Sequence, residues 1–286
     1  MKVDKYLVPP DKKIKLSDYP TDIKDLSLSK KDAEDLLHEG IQKMTVYQDK
    51  LYAYDKYAML IVFQAMDAAG KDGAIKHVMS GLNPQATQVY SFKQPSAEEL
   101  DHDYLWRVSK CLPQRGHIGI FNRSHYEDVL IVRVHNLLNY KKVPPALVTK
   151  EIWKRRFEQI RNFEKYIYEN GIVLIKFFLH ISKEEQKKRF LKRANEPAKN
   201  WKISSSDITE RGFWKDYQKC YEEAISATSM IYSPWYIIPS DTKRYARLII
   251  SEIILKTFDS MNLEYPKPSK EQLEYIEEYR KTLNEE

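Results

Sequence analysis

Cysteine is almost missing from this sequence: two residues in 286, Cys111 and Cys220. They share no metal-binding or redox spacing and read as free thiols in a reducing compartment. No apolar run is long enough to cross a bilayer, and the opening MKVDKYLVPPDKK holds no apolar signal core. The expectation is therefore a cytoplasmic protein with no membrane partner. Internal repeats and low-complexity tracts are also absent, which argues against a solenoid or a flexible linker.

What is present is globular. The chain is 42% hydrophobic and 31% charged, too apolar to stay disordered. Its length allows one large core or two modest ones. Net charge is +6 with pI near 8.9, which favours anionic partners without singling out nucleic acid. The excess is concentrated: from Lys183 to Lys219 there are 11 Lys/Arg against 6 Asp/Glu. Such a run is either a solvated face or an anion-binding surface.

Residues 1–28, rich in Pro, Asp and Lys, predict an extended arm. A helix follows from Ser29, which caps it with Asp32 three residues on, and Leu37, Ile41, Met44, Tyr47 and Leu51 recur at helical spacing. YAMLIVFQAM is a continuous apolar run suited to a strand buried on both faces. The spacing then predicts further strands at TQVYSF, HIGIF, IVLIKFFLHI and WYIIPS. Between them lie helices at SAEELDHDYLWRVSKCL, SHYEDVLIVRVHNLL and ALVTKEIWKRRFEQIRNFEKYIYENG. Beyond the fourth strand comes a charged helical stretch, 183–229, then a closing helix and a polar final helix over 269–283. Five strands alternating with helices predict a three-layer α/β/α sandwich with a parallel sheet. One domain over 1–286 with a helical insertion at 183–219 fits better than two.

FQAMDAAGKDGAIKHV, residues 63–78, follows the first strand and opens a helix, the setting of a phosphate-binding loop. The usual pattern has Gly where this chain has Ala65, and Ser/Thr where it has Asp72. The backbone N–H groups of Ala68, Ala69, Gly70, Lys71, Asp72 and Gly73 would face an anion at a helix amino end, with Lys71 adding a point charge. Asp67 either forms a turn through its side chain or holds a metal or proton.

Two further clusters belong at the same sheet edge. In FNRSHYED, Asn122 stands at the strand tip, and Arg123 and Glu127 are spaced to share a helix face. They form a plain ion pair, or Arg123 grips a phosphate through its fork while Glu127 orders a metal, a water or the arginine. His125 has no second His at metal spacing and reads as packing or surface. In KKRFLKRANEPAKNWK, Arg189 and Arg193 are four apart, with Lys199 and Lys202 after a proline. This is where a mobile basic lid would sit. Lys76 and Lys93 either extend the positive track or are ordinary surface lysines.

AMDAAGKDG, IFNRSHYED, KKRFLKRANEPAKNWK and PWYIIPSDTKRYAR, in that order, resemble the motifs of the family-2 polyphosphate kinases, over nearly the whole chain to about residue 260. The altered loop is part of that family's own pattern. The resemblance implies a thymidylate-kinase-like phosphate-loop fold with a helical lid, dependence on Mg²⁺ (or Mn²⁺), and homo-oligomers, tetramers or dimers. It further implies reversible phosphoryl transfer from inorganic polyphosphate to nucleoside mono- or diphosphates, without nucleic acid. Asp67, Lys71 and Arg123 match the catalytic positions, and Arg193 the lid arginine. Many members carry Asp where this chain has Asn122, and Trp and Asn where it has His125 and Glu127. The His-Tyr-Glu version resembles the subgroup that accepts both AMP and ADP.

On this basis polyphosphate is expected along the loop and lid, touching Lys71, Arg189 and Lys199. The acceptor phosphate is expected near Asn122, Arg123 and Glu127, with Mg²⁺ held through Asp67. The rivals are an ATP-dependent nucleotide kinase of the same fold, disfavoured by Asp72, and a polyanion-binding module using the basic segment, disfavoured by the carboxylates at 67, 72 and 127.

Overall fold

The structure is a computed structural model that describes residues 2–23 and 28–286. Five strands form one parallel sheet in the order β2-β3-β1-β4-β5. They are β1 Ala58–Ala65, β2 Thr87–Ser91, β3 Ile118–Asn122, β4 Ile172–His180 and β5 Trp235–Pro239. All eight residues of β1 are buried, as its unbroken apolar run requires for a central strand covered on both faces. Its side chains alternate between two cores. Met59, Ile61 and Phe63 join the larger cluster, and Leu60 and Val62 join a smaller one with Phe121 and Leu174. Each fully buried aliphatic or aromatic side chain contributes roughly 1.5–3 kcal/mol.

The helices follow the strands: α1 Lys30–Tyr54, α2 Lys71–Val78, the short α3 Ala97–Asp101, α4 Trp106–Ser109 and α5 Ile131–Val134, then α6 Ile152–Glu169, α7 Lys183–Asn195, α8 Ser206–Gly212, α9 Trp214–Thr228, α10 Lys243–Ser260 and α11 Lys270–Glu285. The predicted cap of α1 is present as a reciprocal Ser29–Asp32 capping box. Met44 and Leu51 of its stripe are fully buried. α11 begins at a Ser269–Gln272 capping box and buries none of its residues.

Three expectations need correction. The single helix predicted over 96–112 is two short ones, because Asp103 forms a turn between them: its carboxylate accepts from the Leu105 N–H at 2.9 Å and its carbonyl from Trp106. The helix predicted from Ser124 is a 3₁₀ turn, His125–Val129, separated from α5 by Leu130 at φ −110°, ψ −91°. Burial of His125, Tyr126 and Asp128 overrides helical periodicity there. The helix predicted from Ala146 starts at Ile152 instead, after a Pro145–Leu147 turn.

The predicted amino-terminal arm is described except for residues 1 and 24–27, which lie outside the described residues. It packs on the body through Val3, Tyr6, Val8, Ile14 and Leu16, all buried. The Val8 N–H donates to the Trp235 carbonyl at 2.9 Å and Leu7 bridges Tyr236, so the arm runs along the outer edge of β5.

Candidate active site

In a parallel sheet the carboxyl ends of the strands form the ligand-binding edge. The β1 end runs into the loop Met66–Gly70, with Ala68 at φ 59° and Gly70 at φ 107°. Gly70 is also the cap residue of α2 and offers no side-chain cap, so the first N–H groups of α2 are open to an anion. The strained turn at Ala68 is held from outside. Arg189 of α7, only 7% exposed, donates from Nη1 to the Ala68 and Ala69 carbonyls (3.0 and 2.8 Å). From Nη2 it donates to the Ser240 and Asp241 carbonyls (2.6 and 2.9 Å), and from Nε to Glu185 (2.8 Å). All five guanidinium hydrogens are taken. The expectation that Arg189 binds phosphate is thereby revised: it ties the phosphate loop to the segment after β5. Gln186, one turn earlier, donates to the Asp67 carbonyl at 2.9 Å.

β3 ends alongside β1, with Asn122 opposite Phe63. Arg123 takes a left-handed backbone, φ 66°, and its N–H donates to the Phe63 carbonyl at 3.0 Å. That turn aims the guanidinium at the loop, where it meets Asp67 Oδ1 at 3.3 Å. Asp67 therefore pairs across the cleft with Arg123. The plain Arg123–Glu127 ion pair is not what forms. Glu127 is instead held by Gln64, the buried polar residue near the end of β1: with its amide nitrogen facing Glu127, Gln64 donates to Oε1 at 3.0 Å and its oxygen accepts from the Ser124 N–H at 3.1 Å. Asn122 donates to Asp72 Oδ1 at 2.8 Å, linking the β3 tip to α2.

Lys71 donates to the Ala65 carbonyl at 3.3 Å, behind the loop. Burial and the neighbouring Arg123 charge pull the Lys71 ammonium down, against the pull of Asp67, Glu127 and Asp72. Burial pushes the Glu127 carboxyl up, although Arg123 and Lys71 oppose it. Burial works against the Arg123 charge, but Glu127 and Asp67 outweigh it and hold the guanidinium above its ordinary value. Two cations and two carboxylates, all half-buried, thus lie within reach of one another's charges, and a phosphate entering between them would be drawn to both cations.

Asp67, Arg123 and Glu127 line a cleft of about 170 Å³, roofed by Glu210 and Arg211 of α8 and by Tyr217 and Tyr221 of α9. The roof is latched. Glu210 Oε2 lies 3.0 Å from His135 Nε2 and accepts from the Tyr217 hydroxyl at 2.6 Å. Arg211 donates to the Lys183 carbonyl and to Gln186 Oε1, both at 2.8 Å. The helical insertion therefore covers the site. Arg211 is the basic residue of the insertion that lines the cleft; Arg193 and Lys199 do not, since Arg193 lies over the Phe190 ring (5.4 Å) and Lys199 pairs with Glu196. His125 is buried packing, 1% exposed. Sequence reasoning missed Gln64, Gln186, Arg211, Tyr217 and Tyr221. For Gln64 a signal existed, a lone amide in an otherwise apolar strand.

Comparison with known proteins decides the family. The family described as polyphosphate kinase 2 matches residues 27–266. The chain belongs to the polyphosphate kinase 2 family. It is 48% identical over 269 residues to an ADP-polyphosphate phosphotransferase of Rhodopseudomonas palustris, covering 93% of both chains. It is 41% identical to an AMP/ADP-polyphosphate phosphotransferase of Meiothermus ruber, covering 92% of this chain and 96% of that one. The crystal structure of polyphosphate kinase 2 from Arthrobacter aurescens superposes with a TM-score of 0.85 at 35% identity, over 93% of this chain and 92% of that chain. As a polyphosphate kinase 2 member the protein is a phosphotransferase with the phosphate-loop kinase fold.

Proposed function

We propose that this polyphosphate kinase 2 transfers the terminal phosphoryl group of inorganic polyphosphate reversibly to AMP and ADP, yielding ADP and ATP, by direct in-line displacement. The observation that carries this is convergence. Asp67, Arg123 and Glu127 line one cleft, Lys71 at the open amino end of α2 lies within reach of their charges, and the similar proteins of Rhodopseudomonas palustris and Meiothermus ruber are named for transfer between polyphosphate and ADP or AMP/ADP.

Phosphoryl transfer asks a protein for alignment and charge neutralisation. Lys71 and the loop amides would hold the donor's terminal phosphates. Arg123 would release Asp67 and take the acceptor phosphate in its two-pronged fork. Glu127, fixed by Gln64, would set the depth to which that phosphate enters. An acceptor phosphate oxygen is already ionised at neutral pH, so no strong general base is needed.

The residues fit Mg²⁺ in its usual mode, one or two carboxylates completed by phosphates and water. Among the described residues no three His, Cys, Asp or Glu side chains form a metal cage. Asp72 is engaged by Asn122 and Glu127 by Gln64; Asp67, once Arg123 turns to the acceptor phosphate, would hold the ion. Bound there with phosphate oxygens, Mg²⁺ or Mn²⁺ would supply charge neutralisation.

The cleft of about 170 Å³ is smaller than the roughly 300–1,000 Å³ of ordinary small-molecule sites, which supports a movement of α8 on nucleotide entry. Arg193 and Lys199 would act on the donor only in a rearranged lid. We also infer a homo-oligomer, dimer or tetramer, since α11 displays Leu273, Tyr275, Tyr279 and Leu283 to solvent. Light scattering tests that point.

The deciding experiment is incubation with long-chain polyphosphate, Mg²⁺ and AMP, followed by separation of AMP, ADP and ATP, with ATP as the alternative donor. ADP and then ATP are expected from polyphosphate. Transfer to AMP from ATP alone would make the protein an ordinary nucleotide kinase and overturn the proposal.

A further inference from the structure

β4 carries a lysine that the chemistry above leaves unused. Lys176 is 0% exposed in a strand adjoining the central one, and it is ion-paired with Glu164 of α6, also 0% exposed. Lys176 also donates to the Thr228 carbonyl at 2.8 Å and to the Tyr126 hydroxyl at 3.0 Å. That hydroxyl lies 2.8 Å from both Glu164 Oε1 and Thr228 Oγ1. The Tyr126 ring meets Trp235 edge-on at 4.8 Å. His125 Nε2 stands 3.4 Å from Glu164 Oε1, and its ring meets Phe163 at 5.6 Å.

Tyr126 and His125 lie between Arg123 and Glu127. Regular structure does not hold that segment. Arg123 is left-handed, the turn that follows is 3₁₀, and Leu130 ends it. We propose that Glu164, Lys176 and Tyr126 are positioning residues for the acceptor side of the cleft, fixing the 122–127 segment, and through it Arg123 and Glu127, against α6, β4 and the end of α9. This deepens the proposed function and rests on its placement of the acceptor phosphate at Arg123 and Glu127.

Three observations carry it. The network is nearly saturated: Glu164, Lys176 and the Tyr126 hydroxyl all have partners, which makes it directional rather than merely apolar. It reaches the active segment at Tyr126, adjacent to Glu127 and three residues from Arg123, so a shift of Tyr126 is passed to both. A buried ion pair is also a poor way to gain stability alone, since apolar replacements of similar volume often do as well. Burial pulls the Lys176 ammonium down to about 8, opposed by Glu164.

Tyr126→Phe tests this, because it keeps the ring and removes only the hydroxyl. A second variant, Glu164→Gln with Lys176→Met, keeps a layer of similar volume without charge. Three readouts are needed: thermal midpoint, ADP affinity by calorimetry, and steady-state transfer from polyphosphate. In either folded variant, kcat/KM for the nucleotide should fall about 10- to 100-fold and ADP affinity should weaken, with the polyphosphate KM held within about two-fold. A lowered midpoint with wild-type ADP affinity and an unchanged ratio of the two KM values would make the network purely structural and overturn the proposal. If the wild-type protein transfers nothing from polyphosphate, the proposed function falls, and ADP affinity alone decides the positioning role.

Discussion

Replacing Arg189 separates a clamp from a phosphate ligand. Arg189→Met removes the five donors and keeps much of the stem. Of the four carbonyls it serves, those of Ala69 and Ser240 are engaged in buried hydrogen bonds, and those of Ala68 and Asp241 are partly open. Water can replace the guanidinium at the open pair. The buried pair loses its donors outright, at roughly 1–3 kcal/mol for each unsatisfied group, so a loss of roughly 2–6 kcal/mol is expected. That is a large share of the ~5–15 kcal/mol by which domains are stable. Glu185, a quarter exposed, is resolvated cheaply. Urea unfolding gives the stability change, and hydrogen exchange at residues 66–73 should show the loop opening first. Arg189→Lys should recover little, because one ammonium cannot span carbonyls on two separate segments. Were Arg189 a phosphate ligand, the lysine variant would keep wild-type stability and lose only donor affinity. A stability change below about 1 kcal/mol in the methionine variant, with slow exchange at the loop, would refute the clamp.

The other expectations concern the charged centre. Asp67→Asn should lower kcat by at least about 100-fold, with little change in nucleotide binding measured without metal; near-normal turnover would remove the metal role. Lys71→Ala should abolish transfer while leaving the melting temperature almost unaltered, as followed by circular dichroism. Glu127→Asn should change the ratio of AMP to ADP use in competition assays, and an unchanged ratio would detach Glu127 from acceptor choice. The Glu127 carboxyl is raised above its ordinary value of 4.5, so the folded state holds that proton more tightly than the unfolded chain. The stabilisation this gives is complete below pH 4.5 and is lost as pH rises through the raised folded-state value. Glu127→Gln should therefore melt higher than wild type at pH 8 and equal to it near pH 4; the reverse order would contradict the burial argument.

Much of this was legible in the residues. The β1 run and the glycines after it specify a strand followed by a phosphate loop, because an apolar strand can only be central and Gly70 alone tolerates φ 107° cheaply. The order Asp67, Lys71, Arg123 along the chain placed the chemistry at one sheet edge, where the structure brings all three side chains together. Periodicity failed at Ser124–Leu130. Its spacing suits a helix, but a buried tyrosine and histidine answer to partners 38 and more residues away. Arg189 looked like a lid cation because its carbonyl partners, on two distant loops, leave no trace in local sequence. Lys176 and Gln64 were visible as polar intruders in apolar strands, and such intruders signal a buried partner more reliably than charge runs signal a ligand.

The arm along β5 has a practical consequence. β5 is the last strand of the sheet on that side, and the chain's own first residues occupy its outer edge. A version shortened to begin after Leu16 would bare Trp235 and Tyr236 and leave hydrogen-bonding groups ready to recruit a foreign strand. Precipitation during purification would then follow from a lost cover rather than from a weakened core, and affinity tags belong after α11.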